Sequence, residues 1–199
     1  MQFERHPEFE GRHARLSASK YHWINYPTEK FREAYSNDII AAKGTRLHDF
    51  AKTAIQLREK LPHSNRTINA YINDTIGFRM IPEQVLAYSE YSFGTADAIG
   101  FREKFLRIHD LKTGTTRTSM KQLYVYAALF CLEYMMKPTD IGFEFRIYQN
   151  DSVVIETTSE NPNLAGWPRV DRAEIIRIMD KIVHFDNVIR EMRAEAFDE

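Results

Sequence analysis

"FGTADAIGFREKFLRIHDLKTG", residues 93–114, decides the fold. Its alternation reads as two strands, about 95–101 and 104–112, joined by the polar turn Arg102-Glu103-Lys104. Side chains on a strand alternate faces, so Leu106, Ile108, Asp110 and Lys112 share one side. An apolar half-strand therefore ends in an Asp-x-Lys pair, with another acid, Asp97, on the strand before. Two carboxylates so close repel unless something positive lies between them. A hard divalent cation with oxygen ligands meets that need, and a neighbouring lysine can offset a developing negative charge. An Asp-x-Lys pair by itself is more often a surface ion pair worth at most about 1 kcal/mol, so the reading depends on its surroundings.

Working outward, a third strand at about 85–92 precedes the quoted stretch, after Pro82. Residues 28–60 read as helix with a break near Gly44 and an apolar stripe of Leu47, Phe50, Ala51, Ala54 and Leu57. Residues 66–79 carry only a weak helical pattern. Downstream come a strong helix at about 118–136, strands at about 141–148 and 152–157, and a closing amphipathic helix at about 171–197. The stripe of that last helix is Ile175, Met179, Ile182, Phe185 and Ile189. The order predicts an α/β fold, a central mixed β-sheet flanked by helices, with one strand–helix–strand crossover after the quoted stretch. We expect a single domain over 1–199 with its core at about 40–157.

Composition narrows the function. With 43% hydrophobic residues, 13 Phe and 10 Tyr the chain can build a core. The net charge of −1 gives no general attraction to phosphate, so nucleic acid would have to meet a local basic patch. Candidates are Lys43, Arg46, Lys52, Arg102, Lys104, Arg117 and Lys121, with Thr116 and Arg117 expected at phosphate. The single cysteine, Cys131, excludes an internal disulfide and an iron–sulfur cluster. A reducing compartment, no membrane segment and a cytoplasmic location are expected.

Three further features accompany Asp97, Asp110 and Lys112. His48 lies one helical turn after Gly44 and offers an imidazole ligand. Gln122 and Tyr126 are four apart on the helix after the Asp-x-Lys strand and share a face. Glu90, ahead of Gly94, is a further acid, read as a solvated strand residue with a place near the cation or at DNA as the alternative.

Taken in order, Gly44-Thr45 with His48, Gly94-Thr95-Ala96-Asp97, Asp110-Leu111-Lys112 and Gln122 with Tyr126 resemble the RecB-like branch of the PD-(D/E)XK nuclease superfamily. The resemblance spans about residues 16–130, including "LSASKYHWINYP", which is similar to the entry segment of phage-borne members. It implies a restriction-endonuclease-like core, with His48, Asp97, Asp110 and the backbone carbonyl of Leu111 holding Mg2+ or Mn2+. Asp97, Asp110 and Lys112 would be catalytic, and Gln122 and Tyr126 would support them or contact DNA. Ala96 stands where the family pattern has proline, and the four-cysteine cluster of many relatives is excluded here. The implied activity is metal-dependent DNA hydrolysis by a stand-alone exonuclease on linear ends, as in phage recombination or DNA processing. Its setting would be the bacterial host cell, with DNA, a possible homo-oligomer and a phage single-strand-annealing or recombination protein as partners. The alternatives are an endonuclease or junction resolvase of the same fold, or a catalytically silent nuclease-fold protein that binds DNA or a partner.

Overall fold

The structure is a computed structural model and describes residues 16, 18–116, 118–160 and 166–197. Two compact units are distinguished, Met1–Lys43 and Gly44–Glu199. In the first, a 3-10 helix (Ala18–Asn25) precedes the start of α1 (Thr28–Leu57), where Phe31 stacks on Tyr35 and Lys30 lies over the Tyr26 ring.

The second unit is built on a five-stranded sheet in the order β1-β2-β3-β4-β5. The strands are β1 (Ile81–Ser89), β2 (Ser92–Arg102), β3 (Phe105–Leu111), β4 (Gly142–Gln149) and β5 (Ser152–Thr157). All neighbours are antiparallel except β3 and β4, which run parallel from Phe105↔Gly142 to Leu111↔Tyr148. Parallel neighbours need a long crossover, and α3 (Lys121–Glu133) supplies it. The sheet is thus mixed and flanked by helices, as its alternation predicted.

Two cores cover its faces. On one, Leu106, Ile108, Phe143 and Phe145 pack under Leu123, Ala127 and Phe130 of α3. The outer layer there is α4 (Arg172–Phe197), through Ile175, Ile178, Met179 and Ile182. On the other face, Ala98, Leu111 and Tyr148 meet Tyr71 and Ile72 of α2 (Thr67–Gly77) and Ala51, Ala54 and Ile55 of α1.

Several local expectations are corrected. Gly44 does not break α1, which runs unbroken through it. The buried side of α1 is Ala51, Ala54 and Ile55, whereas Leu47, Phe50 and Leu57 are exposed; small residues let the helix approach the sheet closely. Pro82 lies inside β1, paired with Ala98. Proline is tolerated there because β1 is an edge strand, where only alternate N–H groups face a ladder partner. Phe185 leaves the predicted stripe of α4 and is exposed. The next residue, Asp186, is buried instead, accepting a hydrogen bond from Ser89 and pairing with Arg190 at 2.7 Å. Among the described residues, no helix is long and apolar enough to cross a membrane.

Candidate metal centre

The site lies where β3 ends. Asp110 is on the side of β3 that Leu106 and Ile108 bury under α3, and it is only 1% exposed. Lys112 Nζ is 3.0 Å from Asp110 Oδ2, yet neither Asp110 oxygen receives a directed hydrogen bond. Burial is the main reason its carboxyl titrates above the ordinary 3.8, and Lys112 pulls the other way.

Asp97 comes from β2. Ala96 and Ile99, three apart, both join the α3-side core, while Ala98 joins the other core. The alternation of β2 therefore slips by one around Asp97. Opposite the slip, Pro82 pairs Ala98 and Gln84 pairs Ala96, which sets Glu83 across from Asp97. Glu83 has φ 52. The other non-glycine residues described with positive φ fall in turns or just past helix ends. A left-handed residue within a strand costs on the order of 1–3 kcal/mol and marks a place where a side chain is being re-aimed.

Here the re-aimed carboxylate meets His48 and Asp97. One ligand atom from each of His48, Glu83 and Asp97 lies within 4.8 Å of the others. His48 Nδ1 is 3.6 Å from Asp97 Oδ2. Asp97 also accepts the Leu111 N–H at 2.8 Å. Burial, then the charge of Asp110, raise the Asp97 pKa to about 6, against the lowering pull of the Leu111 hydrogen bond. Gly44 makes this approach possible, since a Cβ there would stand 2.8 Å from Thr113 Oγ1, just past β3. His48 follows it by one turn of α1.

Lys112 is held from two directions. Its backbone N–H donates to the Tyr148 carbonyl at 2.9 Å. Its ammonium donates to Gln122 Oε1 at 2.9 Å, and Gln122 Nε2 donates to Tyr126 Oη at 2.8 Å. Tyr126 lies over Gly94, where a Cβ would come within 3.0 Å of its ring. The chain Lys112–Gln122–Tyr126 thus uses the helical spacing of α3 to fix a lysine beside a buried carboxylate.

Sequence reasoning missed two residues. Glu83 was hidden because Pro82 reads as a break, which put it ahead of the expected strand. Its signal is the position opposite Asp97, visible only once the strands are paired. Tyr71 is 3% exposed, and its phenol is held in the protonated form by burial and then by the charges of Asp97, Glu83 and Asp110. Its helix was too weakly patterned to place it.

Other predicted residues fall elsewhere. Glu90 is solvated, exposed in the turn between β1 and β2 beside Tyr91, and the acid of the cluster is Glu83. Leu111 reaches the site through the N–H that it donates to Asp97. Thr116 is in the β3–α3 loop, where its carbonyl and that of Gly114 accept hydrogen bonds from the Gln149 side chain at 2.8 and 2.7 Å. Arg117 lies outside the described residues. Arg102 and Lys104 are at the β2–β3 turn, the end of β3 away from Asp110, so they do not join a basic patch at the site.

The donor set fits a hard divalent cation. It offers carboxylate oxygens and one imidazole, and the buried Asp110 has Lys112 beside one oxygen and no hydrogen bond at Oδ1. One buried cysteine leaves no means of holding an iron–sulfur cluster. Compared with protein-family models, curated proteins and solved structures, the chain gives no match.

Proposed function

We propose that the chain is a divalent-metal-dependent nuclease that hydrolyses phosphodiester bonds in DNA, working from linear ends. The observation that carries this reading is Asp110, a carboxylate 1% exposed with the Lys112 ammonium 3.0 Å from one oxygen and no hydrogen bond at the other, beside a His–Glu–Asp cluster. A carboxylate kept only for structure would have its oxygens satisfied.

In this reading His48, Glu83, Asp97 and Asp110 hold Mg2+ or Mn2+. When bound, such a cation makes water acidic enough to be a nucleophile near neutral pH and offsets charge on the phosphate. The Lys112 side chain is 26% exposed, so its ammonium is accessible to a phosphate oxygen from outside. Gln122 and Tyr126 keep that ammonium oriented, which avoids reorganisation as charge develops. Tyr71 stays a hydrogen-bond donor beside the carboxylates. The order of motifs, similar to RecB-like PD-(D/E)XK nucleases, supports DNA as substrate and an end-directed mode.

The test is nucleotide release from end-labelled linear DNA with Mg2+ or Mn2+, set against a covalently closed circle. The reading expects digestion of the linear form alone, lost in Lys112→Ala. Cleavage of the circle would replace the end-directed mode by an endonuclease. Equal activity in Lys112→Ala would overturn the assigned site.

A further inference from the structure

A second polar pocket, about 530 Å³ in volume, opens between the α2–β1 turn and the β2–β3 turn. Arg79, Arg102, Glu103, Arg107 and Glu144 line it, with the rings of Phe78 and Phe105. It lies at the start of β3, whereas Asp110 is near the end of that strand. Within β3, alternation turns Arg107 to the side opposite Asp110, and the cluster of His48, Glu83 and Asp97 contributes no residue to the lining of the pocket. The pocket is therefore separate from the candidate metal centre.

Its charge is unbalanced. Glu144 is already engaged from outside the pocket by Arg146, whose Nε donates to it at 3.0 Å. Arg107 Nε is 3.5 Å from the same oxygen, and that buried nitrogen makes no hydrogen bond. Among the described residues, neither Arg79 nor Arg102 has an acidic partner. Arg146 is itself paired with Asp74 at 2.9 Å, so the three guanidinium groups of the pocket, set against Glu103 and Glu144, leave an excess of one positive charge. Arg107 is also fixed in place, with its guanidinium 4.6 Å from the Phe78 ring centroid and 4.7 Å from that of Phe105. A guanidinium held between rings keeps its planar donor fork aimed without losing further entropy on binding, which suits phosphate. The volume suits a small molecule and not a duplex.

We propose that this pocket binds a small phosphate-bearing ligand, a phosphomonoester dianion or free phosphate. The inference is independent of the nuclease reading, and its test needs no divalent metal.

The full-length chain in EDTA is titrated calorimetrically with dAMP, inorganic phosphate and deoxyadenosine. At least one of the two phosphate compounds is expected to bind saturably, with deoxyadenosine at least about tenfold weaker than dAMP where dAMP binds. The tighter of the two identifies the source of the phosphate. The double variant Arg79→Gln/Arg102→Gln is expected to weaken binding at least about tenfold. Both side chains are exposed, so the variant should keep the wild-type thermal transition, and Arg107→Lys serves as a second variant that keeps the charge but loses the planar fork. Lys112→Ala is expected to bind as wild type does. Saturable binding of neither phosphate compound, full binding in the double variant, or loss of binding in Lys112→Ala would each overturn the proposal.

Discussion

Replacing Asp97 by asparagine should stabilise the metal-free protein. Burial and the charge of Asp110 raise Asp97 to about 6, against an ordinary 3.8. At about 1.4 kcal/mol for each pH unit, ionising it in the fold costs about 3 kcal/mol. The side chain is 17% exposed, so solvent screening does not erase this penalty. The sign follows from linkage. A carboxyl raised in the folded state contributes stability that is complete below pH 3.8 and is lost as the pH rises through about 6. Asparagine removes the titration and keeps an oxygen to accept the Leu111 N–H. For a unit of this size, 3 kcal/mol corresponds to a rise in Tm of about 6 to 12 °C. Thermal unfolding in EDTA at pH 8 should show that gain, and at pH 5 it should shrink to about 1.5 kcal/mol. Saturating Mg2+ or Mn2+ should raise the wild-type Tm and leave Asp97→Asn almost unmoved. A variant less stable than wild type at pH 8 without metal, or a gain that ignores pH, would refute the account of Asp97.

Other expectations follow from the same geometry. Tyr126→Phe removes the acceptor of Gln122 Nε2, so DNA cleavage should slow by about threefold to tenfold, a loss of about 1 kcal/mol, with stability changed little; an unchanged rate would mean that the chain to Lys112 does not position it. Gln149→Ala frees the carbonyls of Gly114 and Thr116 and the Thr118 N–H. Amide exchange should then rise in the β3–α3 loop while β3 itself keeps its protection. Leu123→Ala, at a side chain of α3 that is 0% exposed, should cost about 2–5 kcal/mol in denaturant unfolding.

The sheet was legible because residues 93–114 alternate and their turn is polar, and because α3 is apolar enough to be a crossover helix. Asp110 with Lys112, and Gln122 with Tyr126, could be picked out because strand or helix geometry turns each spacing into a shared face, whereas Asp97 was marked only as an acid on the neighbouring strand. Glu83 could not, because its role depends on an unusual backbone conformation after a proline and on the change of face between Ala96 and Ala98 in the partner strand. Nor could the exposure of Leu47 and Phe50, because the sheet selects the alanine side of α1, and propensity does not encode that choice. The pocket at Arg79, Arg102 and Arg107 was missed for a related reason. Those residues come from separate turns and strands, and only the hairpin and the end of α2 bring them together.

The most direct test of the central claim is Mn2+ binding to the full chain, followed by the loss of the free-ion paramagnetic resonance signal, in wild type and in Asp97→Asn and Asp110→Asn. The account predicts saturable binding by wild type that falls at least about tenfold when either carboxylate is replaced. Absence of saturable binding, or equal binding by all three proteins, would contradict a metal centre at the end of β3.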